Sequence, residues 1–273
     1  MKIQYISDLH LESYPHDIIN YSEFIDTVSD AEVLVLAGDI CEICMVRRLH
    51  LFLEWCAKRW PHVVWIAGNH EYYGCESIED ADDKAKELVK EWGNVYFLQN
   101  SSIVIKDITF IGTTLWTMLS EKHHQYEYNQ SNDAINIKYS EDTFSKPSKI
   151  VNEMHQKAVE YLAESLAKVE TPYKVVVTHH LPSFKLIHYK FRESPYVELM
   201  PQFATDLHDL IFSKSPDVWI CGHSHRYMKT SIGNTMAVLN PKGKVDEQTG
   251  YDKSAVIDPA ELLIPTRYNY DIH

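Results

Sequence analysis

The chain has 273 residues, of which 45% are hydrophobic, and a formal net charge of −13. This length suits one large α/β domain or two small ones, and the acidic balance argues against a broad basic face for duplex nucleic acid or an anionic membrane. No apolar stretch approaches the ~18 residues of a transmembrane helix. The opening segment, MKIQYISDLH, lacks a secretory apolar region, and the five cysteines have no framework spacing, so we expect a cytoplasmic protein.

Short apolar runs alternate with longer amphipathic stretches along the chain. The runs predict buried strands at 3–6, 32–37, 63–67, 174–177 and 218–220, and the stretches predict helices at 45–60, 78–92, 150–169 and 202–212. This alternation indicates an α/β fold with largely parallel central strands. Short runs separated by polar turns predict antiparallel strands instead within 95–116 and 235–257.

No linker, repeat or low-complexity tract divides the sequence, so we expect a single domain over residues 1–273. The segment 117–149 is polar and poorly periodic, which is typical of an insertion or a lid. The tail 259–273 carries apolar and aromatic residues that either pack on the body or form an oligomer contact, and the sequence predicts no oligomeric state.

Polar side chains follow all five predicted parallel strands. The clusters are DLH at 8–10, GD at 38–39, GNHE at 68–71, THH at 178–180 and GHSH at 222–225. In an open α/β sheet, ligands bind outside the carboxyl ends of the strands. We therefore expect these aspartates, histidines and the asparagine to meet in one site.

Imidazole, carboxylate and amide groups form a mixed set of nitrogen and oxygen donors. Such a set suits Mn²⁺, Fe, Zn²⁺ or Ni²⁺ better than Ca²⁺ or Mg²⁺ alone. The donors outnumber those that one tetrahedral ion needs. Two ions that share a bridging carboxylate fit better, and such a pair is suited to in-line displacement at phosphorus.

The ordered series DLH, GD, GNHE, THH and GHSH resembles the calcineurin-like metallophosphoesterase superfamily, in particular its compact bacterial and phage-type members. The resemblance implies a four-layer α/β fold, in which a two-sheet β-sandwich is flanked by helices, with two divalent metals at its edge. It implies one metal on Asp8, His10 and His225, the other on Asn69, His179 and His223, Asp39 bridging both, and His70 as the catalytic residue.

The sequence leaves the roles of further residues near these motifs open. His180 is interpreted as a substrate contact or a support for the ligands. By resemblance, Asn132 reaches the phosphate. Glu71 either orients His70 or serves the loop, and Glu42 stands where many relatives carry an aspartate, so the support of His70 is expected to differ.

Two smaller motifs favour no function. The lone CxxC of Cys41 and Cys44 has no second pair to complete a zinc site, so plain side chains are expected, with redox sensitivity as the alternative. His123 and His124 lie in the polar segment and are expected to face solvent.

These features predict a metal-dependent phosphoester hydrolase. Two cations, Mn²⁺ being favoured, lower the pKa of a bridging water so that hydroxide attacks phosphorus, and His70 protonates the leaving group. A nucleotide or another small phosphodiester is the favoured substrate, because segment 183–197 mixes cationic and aromatic residues that either stack a base or form a packed lid. The alternatives are a phosphomonoesterase, a protein phosphatase or a non-catalytic scaffold.

Overall fold

The structure is a computed structural model that describes residues 1–15, 20–28, 30–139, 145–192 and 197–262. The strands are β1 Lys2–Ile6, β2 Ala31–Ala37, β3 His62–Ile66, β4 Val95–Phe97, β5 Ser101–Ile105, β6 Ile108–Thr113, β7 Tyr173–Thr178, β8 Val218–Cys221, β9 Met228–Ile232, β10 Thr235–Leu239 and β11 Val256–Ile257. The helices are α1 Val46–Ala57, α2 Ile78–Val89, α3 Lys122–Tyr128, α4 Asn132–Asn136, α5 Pro147–Lys168 and α6 His208–Lys214.

The strands form two mixed sheets. The first has the order β11-β1-β2-β3-β4 and the second has the order β5-β6-β7-β8-β10-β9. Parallel pairs make up the middle of both sheets, and the antiparallel pairs lie at the edges. The predicted α/β class with parallel central strands is therefore confirmed.

The alternation of side chains along β2 shows why two sheets stack with helices outside them. Val33 and Val35 belong to the apolar layer between the sheets, whereas Leu34 and Leu36 pack in the outer layer that includes Phe52 of α1. Since successive side chains of a strand point to opposite faces, a strand covered on both sides must be apolar throughout. The second sheet is covered in the same way by α5 and α6, which completes the helix–sheet–sheet–helix layering.

Three elements differ from the sequence prediction. Strand β4 pairs parallel with β3 in the first sheet, so the segment 95–116 is an antiparallel meander only in its β5–β6 part. Strands β10 and β11 fall in different sheets. The helix predicted at 202–212 begins only at His208, because residues 203–205 run extended beside Leu181 and bond to its backbone. Periodicity identifies apolar faces but not pairing partners, which explains these errors.

The polar segment 117–149 contains α3, α4 and the beginning of α5. Tyr128, Ile137 and Tyr139 are buried in the outer core of the first sheet together with Trp116. The segment therefore packs on the body along part of its length. Of the tail 259–273, residues 263–273 lie outside the described residues.

None of the helices in the described ranges is both long and apolar enough to span a bilayer. The cytoplasmic location remains a prediction from the sequence.

Gly112 lies where the two sheets approach each other closely. A Cβ atom there would overlap the side chain of Leu98 and lie 2.7 Å from Cγ2 of Ile66. We expect Gly112→Ala to lower the free energy of unfolding by about 1–3 kcal/mol, because overpacking displaces core side chains. Urea denaturation measures this loss. Gly93→Ala is the matched control, since a Cβ at Gly93 would meet nothing within 4 Å; equal stability of the two variants would contradict the close packing.

Candidate metal centre

The polar clusters meet where the carboxyl ends of both sheets come together. Asp8 and His10 follow β1, Asp39 follows β2 and Asn69 follows β3 of the first sheet. The other histidines, His179, His223 and His225, follow β7 and β8 of the second sheet. All seven residues assigned by resemblance as metal ligands lie in this cluster, and those that are fully buried are Asp8, His10, Asp39, Asn69 and His179. The site therefore forms at the seam between the sheets, with only the GHSH histidines partly exposed.

Much of the backbone in this cluster has positive φ angles, a conformation that residues with a Cβ atom rarely adopt. Five of the seven residues have positive φ angles, namely Asp8 at 54°, His10 at 46°, Asp39 at 53°, His223 at 67° and His225 at 44°. Each such residue costs on the order of 1–3 kcal/mol. Local hydrogen bonds offset this cost, for example from the Asp8 amide to the Gly38 carbonyl at 2.9 Å. Strain on this scale at one place is typical of a functional site.

One half of the centre consists of Asp8, His10 and His225. Nε2 of His225 lies 3.3 Å from Oδ1 of Asp8 and 3.0 Å from Nε2 of His10. The carboxylate of Asp8 also accepts the backbone N–H of His223 at 3.1 Å from both oxygens. These contacts hold the two β-strand ends, one from each sheet, against each other.

The other half consists of Asn69, His179 and His223. Nε2 of His179 lies 3.1 Å from Oδ1 of Asn69 and 3.2 Å from Nδ1 of His223. Asp39 stands between the halves, with Oδ1 3.4 Å from Nε2 of His179 and Oδ2 3.8 Å from Nε2 of His10. One oxygen of Asp39 thus faces each half, an arrangement that suits a carboxylate bridging two cations.

In the first half, the hydrogen bonds of the outer ring nitrogens determine which nitrogen of each histidine faces the centre. Nδ1 of His10 lies 2.9 Å from Oε1 of Glu12, and Nδ1 of His225 lies 2.5 Å from Oε2 of Glu247. A carboxylate only accepts hydrogen bonds, so each Nδ1 carries the proton and each Nε2 of a neutral ring presents a lone pair. Two lone pairs that face each other at 3.0 Å repel unless a cation or a proton lies between them.

The same reasoning applies to the second half. Nδ1 of His179 donates to the carbonyl of Ala37 at 3.0 Å, which leaves its Nε2 as an acceptor. The amide nitrogen of Asn69 donates to Oδ1 of Asp133 at 2.8 Å, so its oxygen must point towards His179. Acceptor atoms therefore converge in both halves, and these residues fit two divalent cations.

Charge in the cluster raises the proton affinity of two of its imidazoles, those of His179 and His225. Burial lowers the pKa of His179, but the negative charges of Asp39 and Asp8 outweigh burial and raise it to about 10. Burial likewise lowers the pKa of His225, whereas the hydrogen bond and charge of Asp8 raise it to about 9. A site that attracts protons this strongly attracts metal cations for the same electrostatic reason.

His70 lies beside the first half and lines the cleft in front of the seven ligand residues. Its Nδ1 lies 3.1 Å from Oε1 of Glu12, and its ring stacks on Tyr73 with the centroids 4.3 Å apart. Burial lowers the pKa of His70, but the charge of Asp39 and the bond to Glu12 raise it to about 9. The support expected to differ at Glu42 is supplied by Glu12, whose Oε1 contacts His10 and His70 together.

Glu71 faces away from His70. Its buried carboxylate accepts the backbone N–H groups of Asp39, Ile40 and Gly68, each at 2.8 Å. Burial and the charge of Asp39 raise the pKa of Glu71 to about 7. Glu71 therefore ties the GD loop to the GN loop, which is the loop role that the sequence left open.

The two residues expected to contact substrate lie in different environments. His180 is buried and its Nδ1 lies 3.2 Å from the Thr114 carbonyl, so the ring sits behind His223, with the centroids 4.4 Å apart. Burial lowers the pKa of His180 to about 3, and the residue does not line the cleft. Asn132, at the beginning of α4, is exposed and does line it.

The remaining motifs lie outside the centre. His123 is exposed and its Nε2 lies 2.8 Å from Glu198, and Nε2 of His124 lies 3.5 Å from the same carboxylate. Cys41 is buried and Cys44 is exposed, both as free thiols. Burial raises the pKa of both thiols, that of Cys44 to about 11, which favours their protonated forms at neutral pH.

A cleft of about 550 Å³ opens in front of the metal cluster. The polar residues that line it are Asp39, Asn69, His70, Asn132, His188, His223, Ser224, His225 and Lys244, and the apolar ones are Ile187, Phe191, Leu199, Met200 and Phe203. The hydroxyl of Ser224 is buried and has no hydrogen-bond partner among the residues that the structure describes. The cleft has the size and composition of a small-molecule site.

Three carboxylates that support the ligands were not found by sequence reasoning in these roles: Glu12, Asp133 and Glu247. Only the first had an available signal, since Glu12 is two residues after His10. Asp133 and Glu247 come from distant loops, and their proximity exists only in the folded chain.

Asp133→Ala removes the acceptor that orients the amide of Asn69. We expect Mn²⁺ affinity in the Asn69–His179–His223 half to fall about 10- to 100-fold, as is usual when a group that orients a metal ligand is lost. Titration of metal-free protein with Mn²⁺, followed by metal analysis, measures the change. Asp83→Ala, at an exposed position of α2, is the matched control. Unchanged Mn²⁺ affinity in Asp133→Ala would show that Asn69 is oriented by other contacts.

Comparison with solved structures supports the fold. A phosphopantetheinyl hydrolase from Mycobacterium tuberculosis superposes with a TM-score of 0.67 at 17% identity, over 89% of each chain. A Plasmodium protein described as the anchor in the inner membrane complex superposes with a TM-score of 0.51 at 14% identity, over 93% of this chain and 75% of that one. At these identities the likeness shows the fold alone.

Comparison of sequences identifies the family. An uncharacterised protein of Acanthamoeba polyphaga mimivirus is 26% identical over 281 aligned positions, covering 96% of this chain and 98% of the viral protein. The family model for calcineurin-like phosphoesterases matches residues 1–227. Because that match covers most of the chain and all the strand ends that carry the cluster, the protein belongs to the calcineurin-like phosphoesterase family and is a metal-dependent phosphoester hydrolase.

Proposed function

We propose that the protein hydrolyses a small phosphodiester, with two divalent ions held by the seven residues of the cluster. The observation that carries this proposal is the convergence of acceptor atoms on both sides of Asp39. Two such ions supply a hydroxide nucleophile at neutral pH and neutralise charge on the phosphoryl oxygens. The mixed nitrogen and oxygen donors favour Mn²⁺, with Fe, Zn²⁺ and Ni²⁺ as the other candidates.

The charge of the cleft favours a diester over a monoester. Of the described residues that line it, Lys244 is the single lysine or arginine, whereas Glu12, Asp133 and Glu247 lie directly behind the ligands. A phosphomonoester brings two negative charges near neutral pH and a diester brings one. Two bound cations would offset these carboxylates, so outside the metal centre Lys244 is the single described lysine or arginine left for the second charge of a monoester, which favours the diester.

His70 is suited to deliver a proton to the leaving oxygen. Its Nδ1 is bound to Glu12, so Nε2 is the ring nitrogen that remains for the substrate. Stacking on Tyr73 fixes the plane of the ring. We assign Glu12 as the positioning residue that sets this orientation, and Asn132 and Ser224 as candidate contacts to the phosphoryl group.

The function is tested by Asp39→Asn on Mn²⁺-loaded protein. We expect bound metal to fall below two per chain and hydrolysis of bis-p-nitrophenyl phosphate to drop by at least about 10³-fold, since an amide bridges cations poorly. Metal analysis and initial rates measure both effects. Asp83→Asn is the matched control. A variant with full activity would exclude the two-metal mechanism, and faster cleavage of p-nitrophenyl phosphate by the native protein would replace the diesterase assignment with a monoesterase.

His70→Ala should retain both metals and lose activity unevenly. We expect a loss of about 10²- to 10⁴-fold for esters of poorly acidic alcohols and a much smaller loss for p-nitrophenyl esters, because only the poor leaving groups need the proton. Rates across a series of aryl and alkyl leaving groups give this dependence. An equal loss for every leaving group would assign His70 to binding rather than proton transfer.

A further inference from the structure

One wall of the cleft is apolar although it is open to solvent. Phe191, Leu199 and Phe203 are large hydrophobic residues that remain 48%, 38% and 36% exposed, and Ile187 and Met200 line the cleft beside them. Scattered apolar residues on a surface need no explanation, but several around one concave site indicate a ligand that covers them.

This apolar wall is joined rigidly to the metal centre. The ring of Phe203 lies 5.0 Å from the ring of His223, centroid to centroid. The carbonyl of Phe203 accepts the N–H of Leu181 at 3.0 Å, and the N–H of Thr205 donates to the carbonyl of Leu181 at 3.0 Å. Leu181 follows His179 by two residues, so the wall has a fixed position relative to the ligands of the second half.

Among the described cations of the neighbouring segment, Arg192 does not face this wall. Nε of Arg192 donates to the carbonyl of Ile187 at 2.8 Å, and its guanidinium also bonds to the carbonyl of Lys185. Arg192 thus closes the turn at 185–192 instead of facing a second anion. The side chain of Lys190 and residues 193–196 lie outside the described residues. The cationic lip expected from the sequence therefore has an apolar inner face in the part that the structure describes.

We propose that this wall binds an uncharged, apolar ester group of the substrate, an alkyl or aryl chain attached to the phosphate held at the metals. The inference rests on the proposed phosphodiesterase function and adds its specificity. A phosphate takes up only part of a 550 Å³ cleft, and the five apolar side chains of the wall offer dispersion contacts and apolar area. A second phosphate or a carboxylate placed against these side chains would lose its hydration without gaining a partner from them.

The test uses p-nitrophenyl phosphodiesters that share one leaving group and differ in the second ester group: methyl, butyl, benzyl, 3-carboxypropyl and a 5′-nucleoside. On Mn²⁺-loaded protein we expect kcat/KM to rise about threefold to fourfold per methylene that the wall covers, so that butyl exceeds methyl at least about tenfold. The carboxypropyl and nucleoside esters should gain none of this increase.

Variants of the wall separate its contribution from the chemistry. In Phe203→Ala and Phe191→Ala the butyl-to-methyl ratio should fall at least about threefold. Phe212→Ala removes another exposed phenylalanine, 56% exposed, that lies outside the cleft and packs near Gly233, and it should keep the native ratio. A ratio that is unchanged in both wall variants would overturn the inference.

The failure of this inference differs from the failure of the function. Hydrolysis of all esters at equal rates, or fastest cleavage of the carboxypropyl or nucleoside ester, would overturn the apolar specificity and leave the diesterase function standing. If no ester is cleaved, the diesterase function fails, and calorimetry with methylphosphonate and butylphosphonate still tests the wall. Tighter binding of butylphosphonate, lost in Phe203→Ala, would support the wall, and equal affinities would overturn it.

Discussion

The metal centre depends on how three of its histidines are held at the outer ring nitrogen. Glu12, the Ala37 carbonyl and Glu247 each accept a hydrogen bond from Nδ1 of a site histidine, so the Nε2 lone pairs must point inward. These three acceptors come from three different parts of the chain, and together they determine the tautomers and the direction of these ligands. Lone pairs and carboxylates gathered at such short distances are incomplete without cations.

The two sheets must stay in close register for this centre to form. The Gly38 backbone passes so near the second sheet that a Cβ there would lie 2.5 Å from Nδ1 of His179. Gly38 also has a φ of 84°, which an L side chain rarely adopts. Glu71 holds the next two loops of the first sheet together through three backbone N–H groups. The packing between the two sheets therefore also determines the geometry of the ligands.

Sequence reasoning succeeded where the signal was local. The five strand ends and their polar clusters were readable because apolar runs and the residues that follow them are adjacent in the chain. Pairing partners were not readable, as β4 and the group β10–β11 show, because pairing joins distant segments. The supporting carboxylates Asp133 and Glu247 stayed hidden for the same reason. His180 stands next to a ligand in sequence, but adjacent residues face opposite ways, and its side chain points into the protein.

Asp133 gives the segment 117–149 a part in the energetics of the centre. The carboxylate that orients Asn69 belongs to Asp133 on α4, and the hydroxyl of Tyr73 donates to the same Oδ1 at 2.6 Å. The position of α4 and the affinity of the second half for its cation are consequently linked, and such linkage is reciprocal. Cation binding therefore stabilises the position of α4 on the body, and a contact that displaces α4 weakens cation binding by the same free energy. A segment that the sequence marks as a polar insertion therefore contributes to the affinity of the site for its cation.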